Sequence, residues 1–341
     1  MHAVHRRPRV MMPVAIVTGF LGSGKTTLIG RILRDPAFAR TAVIVNEFGE
    51  IGLDHELIAS SDETLLALTT GCLCCAVRSD LVATLLDLHG RRDAGEISYD
   101  RVLIETSGLA DPAPILHALM TDPDIIQHHA IDGIVTLIDT LHGETTLDRH
   151  SEARRQAALA DTLLVSKTDV AQPTDALLER LAALNSGAAL LAARDVVPAT
   201  LFTGTSVAVR FATLPEPPSR NPFAHAQHTD GITTFALRRE RPVPALALTL
   251  LLEALTEHCG ARLLRLKGLV NIEEMPEQPA VIHGVQHVVS PPEFMACWPS
   301  ADRTTRIVFI AEGVPRHFPL RLLDAIEREV REEMEQTASL P

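Results

Sequence analysis

The chain has 341 residues, long for one hydrophobic core and comfortable for two. Its composition, 46% hydrophobic and 22% charged, is that of a globular protein, and with only 4% aromatics the cores must be built from Leu, Val, Ile and Ala. The formal net charge of -12 opposes association with phosphate backbones, so nucleic acid is not an expected partner.

Residues 1–12 carry Arg6, Arg7 and Arg9 but no apolar stretch ending in a small-residue cleavage site, and they read as a disordered tail. No apolar run reaches the roughly 20 residues of a membrane span. A cytoplasmic protein is expected. From residue 13 to 214, strand-length Val/Ile/Leu runs alternate with helical stretches. The runs are Val14–Thr18, Thr41–Asn46, Arg101–Glu105, Gly133–Asp139 and Asp161–Ser166. Helices are predicted at Lys25–Arg34, Ser79–His89, Pro112–Met120 and Thr174–Ala183. Continuous apolar strands separated by helices specify a doubly wound, mostly parallel α/β sheet. Pro215, Pro217, Pro218 and Pro222 mark a linker over residues 215–231. Residues 232–336 then read as a smaller α+β domain. Its predicted elements are a strand at Ile232–Arg239, a helix at Ala245–His258, strand-like runs at Leu263–Ile272, Ala280–Val289 and Thr304–Ala311, and a final charged helix from about residue 320 to 335.

Between the first strand and the first helix, Gly19-Phe20-Leu21-Gly22-Ser23-Gly24-Lys25-Thr26 satisfies every fixed position of G-x-x-x-x-G-K-[ST]. Glycines let backbone N–H groups turn inward around phosphate oxygens, and the helix N-terminus adds its positive dipole end. Lys25 is expected to reach the β- and γ-phosphates and Thr26 to offer its hydroxyl to Mg²⁺. Thr27 stands where a dinucleotide fingerprint needs Gly or Ala, which counts against a Rossmann reading. Arg101–Gly108 (RVLIETSG) is an apolar strand ending in an acid with glycine three residues later, a Walker B arrangement. Glu105 is expected to hold Mg²⁺ through water, and the Gly108 N–H to sense the terminal phosphate. Ser166-Lys167-Thr168-Asp169, at the end of another strand, is close to N-K-x-D. The Asp169 carboxylate can accept from guanine N1–H and N2 together, a donor pair that adenine lacks. Lys167 would lie along the base, and Ser166 replaces the usual Asn.

Of five cysteines, Cys72, Cys74 and Cys75 are clustered. Neighbours this close make poor disulfides. They can present three sulfurs to a soft cation such as Zn²⁺, leaving a fourth position for a further ligand, as suits a metal that must leave again. A redox cluster or buried small residues are the other readings. In Asn46–Glu50 (NEFGE), Glu47 or Glu50 could approach a metal, and Glu50 is the preferred fourth ligand. The histidine pairs 128/129, 225/228 and 283/287 are assigned to packing or surface roles.

Together, GFLGSGKTT (Gly19–Thr27), NEFGE, GCLCC (Gly71–Cys75), ETSGLADP (Glu105–Pro112) and SKTD resemble the CobW family of P-loop GTPases. The second domain resembles that family's C-terminal domain through Arg265–Gly268 and Arg306–Ile310. The resemblance implies a zinc-handling metallochaperone or metallocofactor-assembly GTPase, with GTP and Mg²⁺ as ligands and Zn²⁺ on Cys72, Cys74 and Cys75. Its partner would be a client metalloprotein or a cofactor-assembly protein, and a homodimer is left open. No arginine finger is evident, so turnover without a client is expected to be slow. A GTP-dependent metal sensor without turnover, and a P-loop ATPase or kinase with structural zinc, are the alternatives.

Overall fold

The computed structural model describes residues 11–46, 65–67, 74–202 and 231–338. Its first unit contains strands β1 (Met12–Gly19), β2 (Thr41–Asn46), β3 (Leu65–Ala67), β4 (Arg101–Thr106), β5 (His129–Asp139), β6 (Thr162–Ser166) and β7 (Ala189–Ala192). They form one sheet in the order β3-β2-β4-β1-β5-β6-β7, every pairing parallel. Helices α1 (Lys25–Leu33), α2 (Cys74–Asp93), α3 (Ala113–Thr121), α4 (Gly143–Arg149), α5 (Ser151–Leu159), α6 (Asp175–Leu184) and α7 (Pro198–Leu201) connect them. The strands are apolar throughout because both faces are covered. Ile16, Ile44 and Ile104 pack against Leu81, Leu85 and Leu116 on one side. Val17, Val43 and Leu103 pack against Ile29, Ile32 and Phe38 on the other. Neighbouring residues of one strand thus serve opposite layers, as the two-residue period requires.

The second unit contains β8 (Ile232–Arg239), β9 (Leu263–Val270), β10 (Ala280–Val285), β11 (Val288–Val289), β12 (Glu293–Phe294) and β13 (Thr305–Glu312), with α8 (Ala245–Cys259) and α9 (Phe318–Ala338). Its antiparallel sheet runs β11-β10-β9-β13-β8, with β12 on β10. Leu251 and Leu255 of α8 and Leu323 and Val330 of α9 share a core with Leu266, Ile282 and Phe309 of the sheet. The run expected as one strand over 280–289 is a hairpin: Gln286 takes φ 53 and Val285 pairs with Val288.

The units share buried surface. Ile232, Leu264 and Ile310 of the antiparallel sheet join Leu177, Leu181 and Leu184 of α6 in one apolar cluster. Asp161, between α5 and β6, meets Arg265 Nη2 at 2.5 Å and the Lys267 ammonium. Its other oxygen accepts the Ile134 N–H at 2.8 Å. Burial alone would raise the Asp161 pKa, but the two cations outweigh it and hold the carboxyl well below the usual range.

Away from this seam, His89 of α2 lies against both His128 and His129, with ring centroids 4.0 and 5.9 Å apart. His129 is buried, 2% exposed. Burial first, then the neighbouring His89 and His128, lower its pKa to about 4. The ring is therefore neutral when folded, whereas an unfolded imidazole titrates near ~6.5. Between those values the unfolded chain binds a proton that the folded chain does not, so stability falls as pH drops through the window. His283, whose pKa burial also lowers to about 4, adds to the same window. Urea unfolding at a series of pH values should show each ring contributing a loss of up to about 3 kcal/mol between pH ~6.5 and ~4, so that the loss is about halved in His129→Leu.

Candidate functional site

The central strand β1 carries the phosphate loop at its carboxyl end, between β4 and β5. Gly19 has φ 143, and a Cβ there would sit 2.5 Å from the Leu137 carbonyl oxygen, so both backbone angle and space demand glycine. Gly22 and Gly24 also take positive φ, and Gly24 caps α1. The loop closes on itself through the Ser23 N–H and the Phe20 carbonyl at 3.1 Å. Lys25 folds back into this ring: its ammonium, buried in the loop, donates to Gly19 O at 3.0 Å and Phe20 O at 3.4 Å. Thr27 is exposed on the first turn of α1.

Parallel pairing of β1 with β4 sets Val17 opposite Glu105. Thr26 Oγ1 then donates to Glu105 Oε1 at 3.2 Å, and Thr106 Oγ1 donates to Thr18 Oγ1 at 2.6 Å one layer down. Beyond Glu105 the chain presses against the phosphate loop. A Cβ on Gly108 would lie 2.7 Å from both the Leu21 nitrogen and its side chain. Gln156 of α5, fully buried, donates to Gly108 O at 3.1 Å and Ala110 O at 2.9 Å and so fixes this segment. Nothing in the sequence pattern around Gln156 signalled that role.

The third motif lies at the end of β6. Ser166 Oγ donates to the Ser23 carbonyl at 2.6 Å, tying the base-side loop to the phosphate loop. Lys167 adopts φ 59, and its ammonium meets Asp139 Oδ2 at 3.1 Å at the end of β5. Asp139 also accepts the N–H groups of Leu141 and His142 at 2.7 and 2.9 Å. Burial disfavours the Asp139 charge, but the His142 N–H, the Lys167 ammonium and the Leu141 N–H outweigh it and lower the pKa. Asp169 is exposed to solvent. Lys25, Thr26, Glu105, Gly108, Ser166 and Lys167 therefore gather along one edge of the sheet.

Cys72, Glu47 and Glu50 lie outside the described residues, as does the linker pair His225 and His228. Cys74 and Cys75 open helix α2, their side chains likewise outside the described set. Among the described residues no group of three or more His, Cys, Asp and Glu side chains could hold a metal ion. Of the other cysteines, Cys259 is buried and Cys297 exposed, both as free thiols. Among the described residues no helix is long and apolar enough to cross a membrane.

A glycine loop joining the central parallel strand to a helix, with a lysine inside it and a threonine bonded to a strand-end acid, defines a P-loop nucleotide-binding protein. The chain belongs to the CobW family of P-loop GTPases. Residues 13–192 match the CobW/HypB/UreG nucleotide-binding domain, and residues 232–327 match the cobalamin synthesis protein cobW C-terminal domain. Zinc chaperone YjiA of Escherichia coli is 32% identical over 309 residues, covering 89% of this chain and 96% of that protein. Zinc-regulated GTPase metalloprotein activator 1 of Saccharomyces cerevisiae is 34% identical over 200 residues, 52% of this chain and 46% of that one. The crystal structure of Zn(II)-bound YjiA GTPase from E. coli superposes with a TM-score of 0.72 at 28% identity, covering 93% of this chain and 99% of that one.

Proposed function

We propose that the chain is a GTP-hydrolysing metallochaperone. It binds zinc, or another transition metal, through Cys72, Cys74 and Cys75, and GTP state times the metal's transfer to a client protein or cofactor-assembly partner. The observation that carries this reading is the Thr26–Glu105 hydrogen bond at 3.2 Å beside the buried Lys25. It joins the phosphate loop to the carboxyl end of β4. In the chain, the cysteine cluster lies between β2 and β4. The zinc-chaperone name of the E. coli relative supports the metal half of the reading.

In this reading the backbone N–H groups of Gly19, Gly22, Ser23, Gly24, Lys25, Thr26 and Thr27 cradle the phosphates. Lys25 leaves the Gly19 and Phe20 carbonyls for phosphate oxygens, and the Gly108 N–H meets the terminal phosphate. Lys167 lies along guanine while Asp169 accepts from it. The Thr26 hydroxyl and Glu105 carboxylate are hard oxygen donors side by side, a set that fits Mg²⁺. Mg²⁺, when bound, neutralises charge developing on the phosphates. Thr26 and Glu105 would hold it, Glu105 through water. Glu50 completes the zinc site. The nucleotide unit spans residues 13–214 and the second unit 232–336, in a cytoplasmic protein whose turnover is slow until a client engages.

The test is zinc content and GTP turnover in the wild type and in a Cys72/Cys74/Cys75→Ser variant. Zinc stoichiometry should fall at least about tenfold, because three of the four ligands of a tetrahedral site are gone, and any zinc dependence of turnover should disappear. Unchanged zinc stoichiometry and unchanged turnover together would sink the metallochaperone reading.

A further inference from the structure

Helix α5 touches both halves of the molecule. Gln156 grips the carbonyls of Gly108 and Ala110, while the neighbouring Arg155 points one arm of its guanidinium at the same segment: Nη1 donates to Asp111 Oδ2 at 3.1 Å. The other arm, Nη2, donates to Glu312 Oε2 at 3.2 Å, on the last residue of β13 in the second unit. Asp111 is itself fixed, since its Oδ1 accepts the Ala113 N–H at 2.9 Å at the start of α3. Glu312 pairs through the backbone with Ile232, the first residue of β8. Six residues after Arg155 and just beyond the helix, Asp161 ties the chain to Arg265 and Lys267. The loop beyond the Walker B acid is thus linked to the antiparallel sheet by one side chain whose planar fork spans two carboxylates. All three partners are partly exposed, and ion pairs in that setting add little to stability. What the bridge fixes is position.

We propose that Arg155 is a positioning residue that couples the Gly108–Asp111 segment to the second unit, so that nucleotide at the phosphate loop and the geometry around Glu312 bias each other. Coupling of this kind is reciprocal, so a partner seated on the second unit would shift nucleotide preference by the same factor. This inference rests on the GTPase reading above.

The test uses the full chain with GDP and with a non-hydrolysable GTP analogue. Hydrogen exchange of backbone amides is followed over β8 and β13, alongside kcat and KM for GTP. The wild type should show different exchange at residues 231–234 and 310–313 with the two nucleotides. Arg155→Gln and Glu312→Gln should each abolish that difference and change kcat about three- to tenfold, with KM moving less than about twofold. Glu312→Gln keeps the Arg155–Asp111 contact and keeps the nucleotide site itself intact. Arg155→Lys should not rescue, because one ammonium cannot reproduce the fork. The coupling is refuted if the exchange difference is absent in the wild type or survives in both variants. A wild type that binds both nucleotides without turning over GTP would overturn the enzyme reading instead, and the exchange data would still decide the role of Arg155. Binding of neither nucleotide would overturn both.

Discussion

Asp161→Ala should lower the unfolding free energy by about 3–5 kcal/mol, the cost of leaving buried charges without their counterion. Arg265 and Lys267, 6% and 8% exposed, would face each other across the space of the lost carboxylate. Ile134 would lose its side-chain acceptor as well. Adding Lys267→Met should recover part of the loss by removing one stranded cation. Urea unfolding of the three proteins measures this, and a single-variant loss below about 1 kcal/mol would mean the contact is no more than a surface pair. The pH dependence has a definite sign. The folded pKa of Asp161 is depressed, so its contribution is complete above the unfolded value of ~3.9 and fades as pH falls through the lower folded value. The difference between wild type and Asp161→Ala should therefore stay constant from pH 8 to about 4 and shrink only below it, clear of the window assigned to His129.

Lys25→Ala should reduce GTP turnover at least about a hundredfold, the range seen when one preorganised donor to developing charge is removed. The fold should survive. The Gly19 and Phe20 carbonyls that hold the ammonium belong to a loop whose course is fixed by glycine geometry and the Ser23–Phe20 bond. Phosphate release under saturating GTP, with the unfolding midpoint as control, is the measurement. A fall of less than tenfold with an unchanged midpoint would remove Lys25 from the chemistry.

The phosphate loop and its strand were legible because their constraints are local. A buried parallel strand must be apolar on both faces, and a loop of this geometry needs glycine at fixed places. The resemblance drawn from the motifs also stands, with both family domains matched. Helices α4 and α5 were not read from the sequence. The buried residues of α5 are Ala153, Gln156, Ala157, Ala158 and Leu159, so that among them only Leu159 is a large apolar side chain and the apolar signal is weak. The roles of Arg155 and Gln156 were hidden for the same reason, and their partners stand 44 to 157 residues away. β3 has three residues, and β7 is only partly buried, so neither shows a period. Ser166 stands where Asn is usual, and the motif alone did not show what its hydroxyl would meet. A short hydroxyl reaches Ser23 O at 2.6 Å, a contact that depends on how closely β6 approaches the loop and not on residue type alone.

The strand order has a consequence for biosynthesis. β1 leaves the ribosome first among the strands, yet its two neighbours are β4 and β5, and Gly19 rests on the backbone of Leu137. At ~5–20 residues per second, the roughly 120 residues between the loop and the end of β5 take about 6–24 s to appear. Until β4 appears an apolar strand of the nascent chain has no permanent partner, and its other side stays open until β5 follows. Nucleotide capture is thus a late event in the making of this protein, and holding β1 away from wrong pairings falls to whatever attends the emerging chain.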